Sequence, residues 1–103
     1  MDQYVVEKVR RYAEIVRNDM QVKMIIIYGS YARGTESSNS DIDVAVVVDH
    51  IENDYLEQSA RLFHLIRGID TRIEPVLLTV DEDRSGFLSS ILKYGEIIYQ
   101  CER

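Results

Sequence analysis

Asp41 and Asp43 flank a single isoleucine at the start of a valine-rich run, Asp41-Ile42-Asp43-Val44-Ala45-Val46-Val47-Val48. Residues two apart on a β-strand point to the same face, with Cα atoms roughly 6.5–7 Å apart at about 3.3 Å rise per residue. Both carboxylates can therefore lean toward one hard cation. Mg2+ takes oxygen ligands in an octahedral array, typically one or two carboxylates plus substrate phosphates. Two bare carboxylates this close repel, which raises one pKa, and a divalent cation resolves the repulsion. Asp41 and Asp43 are thus candidate metal ligands and catalytic residues. A solvated strand start is the plainer alternative.

Upstream stands Gly29-Ser30-Tyr31-Ala32-Arg33-Gly34-Thr35. Gly29 lets a backbone approach a phosphate with no Cβ in the way. Ser30 adds a hydroxyl where a helix is expected to begin, and amides at a helix N-terminus favour an anion. The Arg33 guanidinium suits phosphate oxygens, although a surface charge reads the same way. One segment ends in a phosphate cradle and the next opens with metal ligands. Together they form the equipment for a metal-bound nucleoside triphosphate. Two metal ions, about 3.5–4 Å apart, would need a third acid. Glu74, in Arg72-Ile73-Glu74-Pro75, is the only acid inside the next strand pattern. It is the candidate to hold a nucleophile-side metal or to take the nucleophile's proton.

The elements that position these residues follow from hydrophobic periodicity. Residues 3–19 carry Val5, Val6, Val9, Tyr12, Ala13 and Val16 at helical steps, with Asp2 as N-cap. Met24–Tyr28 reads as a buried strand, Ser37–Ser40 as a loop and Asp41–Val48 as a second strand. Residues 53–67 form a helical pattern with Leu56, Ala60, Phe63 and Ile66 on one face, stopped by Gly68. Arg72–Thr79 is a third strand, and its Pro75 belongs at a sheet edge or near a strand end because it lacks an amide donor. Thr79-Val80-Asp81-Glu82 matches a capping box, predicting a helix to about Tyr94 with Phe87, Leu88, Ile91 and Leu92 inward. Gly95 closes it and Glu96–Gln100 returns as a strand. The order α-β-(short α)-β-α-β-α-β implies a sheet with helices packed on it.

Composition excludes several classes. With 103 residues, the chain is expected to form one domain, residues 1–103. A net charge of −6 argues against a broad basic face for nucleic acid and for a cation site or a basic partner. The single cysteine, Cys101, permits neither an intrachain disulfide nor a Cys-based zinc site. Charges crowd the first twenty residues, and no apolar run is long enough to span a bilayer. A soluble, cytoplasmic setting is expected. The Gly29–Gly34 spacing superficially mimics a P-loop, but Thr35 follows Gly34 directly and the required Lys is absent. His64 lies within a helical pattern and is read as packed or solvated, His50 as a loop residue, and Tyr31 as a nucleotide contact or a core residue.

Gly29-Ser30, ten residues Tyr31 through Ser40, then Asp41-Ile42-Asp43 resembles the signature of the minimal nucleotidyltransferases of the DNA polymerase β superfamily. Four set residues at set spacing should arise by chance in roughly one in a thousand chains this long. The neighbours Ala32-Arg33-Gly34 and Ser40, and the terminal Gly95-Glu96-Ile97-Ile98-Tyr99, look similar too. The third acid departs from the pattern, being Glu74 rather than Asp. The resemblance implies an α/β nucleotidyltransferase fold with a small mixed sheet. It implies Mg2+-dependent NMP transfer, AMP from ATP, to an acceptor hydroxyl, with Asp41, Asp43 and Glu74 at the metals and Gly29, Ser30 and Arg33 on the nucleotide. Short stand-alone members often partner a HEPN-domain ribonuclease toxin, as antitoxins that in some cases add AMP to a toxin tyrosine. The competing expectation is an acidic antitoxin that neutralises its partner by binding alone. Modification of a small hydroxylated molecule is a third, with a homo-oligomer supplying the acceptor pocket.

Overall fold

The computed structural model describes residues 1–37, 39–51, 54–81, 83 and 85–102. The chain runs α1 (Gln3–Asp19), β1 (Met24–Tyr28), α2 (Ser30–Arg33), β2 (Ile42–Val48), α3 (Tyr55–His64), β3 (Ile73–Thr79), α4 (Phe87–Tyr94) and β4 (Glu96–Gln100). That order is the one the sequence predicts. The four strands form one sheet in the order β3-β2-β1-β4. β1 pairs antiparallel with β2 and β4, and β2 pairs parallel with β3, so the sheet is mixed. Pro75 lies on the edge strand β3 opposite Val44, where its missing donor is tolerated.

Strand alternation divides the core in two. Ile25, Ile27, Val44 and Val46 pack with α1 and Leu62 of α3 on one face. Met24, Ile26, Ala45 and Val47 pack with Leu88 and Ile91 of α4 on the other. The Asp2 carboxylate caps α1 by accepting from the Tyr4 amide at 2.9 Å. The buried Tyr12 hydroxyl donates to the Leu62 carbonyl at 2.9 Å and pins α1 to α3. Gly95 is required by a close approach. A Cβ there would lie 2.6 Å from the Ile91 carbonyl oxygen and 2.7 Å from Ile26 Cγ2.

Two helices depart from expectation. α3 turns a different face inward, with Leu62 buried while Leu56 is 75% and Phe63 47% exposed. Two apolar stripes interleave on this helix, and its rotation is set by tertiary bonds. These are the Tyr12 bond and the Arg61–Asp19 ion pair at 2.8 Å. The fourth helix begins at Phe87 rather than near residue 80. The parallel ladder extends to Thr79, which pairs with Val48, so Thr79 is used as strand and cannot cap a helix. Glu82 of the expected capping box, Asn53 of the expected helix and Ser38 of the expected loop lie outside the described residues. Asp83 caps instead, accepting from the amides of Leu88 (2.8 Å) and Ser89 (3.0 Å). The shorter helix buries only Leu88 and Ile91, while Phe87 and Leu92 remain 42% and 41% exposed.

Candidate functional site

The sheet places the candidate residues at one end. Tyr28 pairs with Asp43 across β1 and β2, and Asp43 pairs with Glu74 across β2 and β3. Tyr28, Asp43 and Glu74 therefore form a row over three adjacent strands, at about 4.8 Å per strand. Alternation puts the row on the face that carries α4. Asp41 precedes β2 and shares the parity of Asp43. Asp43 is half-buried, while Asp41 and Glu74 are exposed.

β1 ends at Tyr28, and Gly29 leads into α2 with φ 74° and ψ −148°. That backbone conformation is open to glycine and strained for other residues. A Cβ on Gly29 would collide with the Asp43 carboxylate and stand 3.1 Å from its Cγ. The backbone at the phosphate-loop signature thus abuts the strand bearing the acids. α2 is one turn, so its macrodipole is small, and the amides of a first turn have no acceptor inside a helix. Ser30 is its first residue, and Gly34 ends it in the left-handed conformation.

Electrostatics distinguish Asp43. Burial, then the nearby charge of Asp41, raises its pKa above the usual carboxylate value, and Arg33 partly opposes them. The Tyr28 phenol is pushed up to about 12 by burial and by the charges of Asp43 and Glu74. Its ring meets Phe87 edge-to-face at 5.7 Å between centroids. Tyr28 and Phe87 thus wall the acid row, which sequence reasoning missed. The available signal is an antiparallel pairing of β1 with β2, which sets Tyr28 opposite Asp43.

Asp41 and Arg33 are each brought within electrostatic range of Asp43, and Glu74 lies beside Asp43 on the next strand. Among the described residues, no three acidic, histidine or cysteine side chains gather closely enough to enclose a metal ion alone. An Asp41–Asp43 pair still suits Mg2+, which draws the rest of its oxygens from substrate phosphates and water. Tyr31 is 4% exposed and packs in the core. His64 is exposed, and Cys101 is half-buried at the other end of the sheet. That far end holds a hollow lined by Arg17, Lys23, Asp49, His50 and Tyr99, away from the acid row. No helix among the described residues is long and apolar enough to cross a membrane.

A family model described as polymerase beta nucleotidyltransferase matches residues 10–103. A relative from Methanocaldococcus jannaschii named "Putative protein adenylyltransferase MJ0604" is 32% identical over 81 residues, covering 77% of the chain and 80% of that protein. "Putative protein adenylyltransferase MJ1379" of the same organism is 43% identical over 49 residues, 48% of the chain. The chain spans about half the length of that second relative, 47%. Among solved structures, a "putative nucleotidyltransferase" from Sulfolobus solfataricus superposes with a TM-score of 0.73 at 22% identity, covering 96% of the chain and 83% of its own. A chain of a toxin-antitoxin complex with AMP-PNP superposes with a TM-score of 0.69 at 20% identity, covering 94% and 74%. At these identities the two structures establish the shared fold.

Proposed function

Because the chain belongs to the polymerase beta nucleotidyltransferase family, we propose that it transfers AMP from ATP to an acceptor hydroxyl in a Mg2+-dependent reaction. The acceptor we infer is a tyrosine of a partner HEPN-domain toxin, with this chain as the antitoxin. The observation that carries the reading is the contact between the two halves of the site. Gly29 brings the loop backbone against the carboxylate of Asp43, and a side chain there would separate them. The names of the relatives support adenylyl transfer. The toxin-antitoxin complexes among the similar folds support the partner.

In this reading Asp41 and Asp43 hold the metal, Gly29 and Ser30 hold phosphate oxygens, and Arg33 adds a positive charge beside them. When bound, Mg2+ neutralises the triphosphate and polarises its α-phosphate. Glu74, one strand from Asp43, takes the acceptor's proton or holds a second ion. A bond forms from the acceptor oxygen to the α-phosphorus, and pyrophosphate leaves. Positioning and charge neutralisation are the chain's main contributions.

Incubation of a HEPN-domain partner with the chain, ATP and Mg2+ should add the mass of AMP to a partner tyrosine. An unmodified partner, with ATP left intact, would reject the activity. A second reading, neutralisation by binding alone, is favoured by the outward apolar residues of α3, Tyr55, Leu56 and Phe63. Inhibition of the partner without ATP, undiminished in Asp43→Asn, would select it.

A further inference from the structure

An ion-paired corner outside the proposed chemistry touches both halves of the site. Arg72 immediately precedes β3 and stands two residues before Glu74. Its Nε and Nη2 donate to the two carboxylate oxygens of Asp70 at 3.1 and 2.8 Å. The Arg72 amide also donates to Asp70 Oδ1, at 2.9 Å. The other guanidinium nitrogen, Nη1, donates to the hydroxyl of Tyr31 at 3.0 Å. Tyr31 follows Ser30 in α2 and is buried. The Arg72 carbonyl accepts from the amide of Ile42, the residue between Asp41 and Asp43, at 2.8 Å. One residue therefore reaches the phosphate loop through its side chain and the metal-acid strand through its backbone. It also leads directly into the strand of Glu74.

We propose that Arg72, clamped by Asp70, is a positioning residue that holds Tyr31 and so sets Ser30 and the phosphate loop against Asp41, Asp43 and Glu74. The proposal rests on the reading of Gly29–Ser30 as a triphosphate cradle. α2 is a single turn, and a helix that short has no stability of its own, so its place is dictated by what its side chains touch. Tyr31 is its one buried residue. A bidentate guanidinium–carboxylate pair is directional, so Asp70 fixes where the third donor points. A lysine keeps the charge and loses that fork.

The test is a double-mutant cycle of Tyr31→Phe and Arg72→Lys, read as the Kd of Mg2+ with a non-hydrolysable ATP analogue. Melting of the protein without nucleotide is measured beside it. Tyr31→Phe removes one hydroxyl and should weaken binding about tenfold or more, the low end for a lost hydrogen bond to a charged group. Arg72→Lys should weaken it similarly, and the double variant no more than the larger single loss. A purely structural link would lower melting without nucleotide and leave Kd unchanged, which would overturn the proposal. Additive losses would overturn it as well. Wild-type protein that binds no nucleotide would reject the cradle itself, and is thereby distinguished from a wild type that binds while Tyr31→Phe binds equally well.

Discussion

Asp70 and Asp43 stand at the same end of the sheet in opposite electrostatic settings. Asp70 is held by the Arg72 side chain, whose hydrogen bonds draw its carboxyl below the usual range. Asp19 is lowered in the same way by Arg61, and Asp83 by the hydroxyl and amides at the start of α4. Asp43 is instead raised, by burial and by Asp41. The lowered aspartates strengthen the fold through their partners. The ionised form of Asp43 is a burden on the fold in isolation, the setting expected of a metal ligand in the proposed reading.

The largest expected break in this contrast is Asp43→Asn, which removes the charge and keeps the shape. AMP transfer should fall by about 10³-fold or more, as expected from losing several kcal/mol of metal-borne stabilisation. Retention of full activity in a transfer assay would remove Asp43 from the metal site. Next is Gly29→Ala, which places a methyl against the Asp43 carboxylate in a backbone region hostile to side chains. It should cost about 1–3 kcal/mol by thermal denaturation. An unchanged melt would mean that the loop and the acid strand do not press together.

Asp70→Asn tests the other side. A carboxyl with a depressed folded pKa adds stability above its unfolded value, about 3.9, and loses it as pH falls through the folded value. Replacing it should cost about 1 kcal/mol at neutral pH and flatten the loss of stability below pH 4. Melting curves across that range would show an unaltered acid arm if the pair were idle.

The smallest effect runs the other way. Because the folded pKa of Asp43 is raised, its charge destabilises the protein above that pKa, and the burden lifts as pH falls. Asp43→Asn should therefore melt slightly higher than wild type at pH 7 without ligand, and equally near pH 4. A variant that melts lower at pH 7 would contradict the electrostatic contrast.

Much of this was legible in the sequence, for identifiable reasons. β-branched runs such as Met24–Tyr28 and Val44–Val48 have few alternatives to buried strands, so the sheet and the spacing of its motif could be read directly. Where two local patterns competed, tertiary structure decided. Thr79 satisfied a capping pattern and was taken by the β2–β3 ladder. On α3, Leu56 and Phe63 matched the helical period as well as Leu62 did, and the long-range bond from Tyr12 chose between them. At the site, the motif placed Gly29, Ser30, Asp41 and Asp43 at one end of the sheet. The Arg72–Tyr31 bond joins residues 41 apart, and no local pattern announces it. Nor does spacing show Phe87 reaching Tyr28, because the two residues are joined only by the packing of α4 on the sheet.

The most direct test of the central claim is a thermal melt of wild type and Asp43→Asn, each with and without Mg2+ and ATP. At about 100 times Kd, ligand adds roughly 2.7 kcal/mol to the native state, a rise of order 10 °C for a domain of this size. A functioning metal–nucleotide site predicts that rise in wild type only, and only with Mg2+ present. No shift in wild type with any nucleotide, or an equal shift in Asp43→Asn, would contradict it.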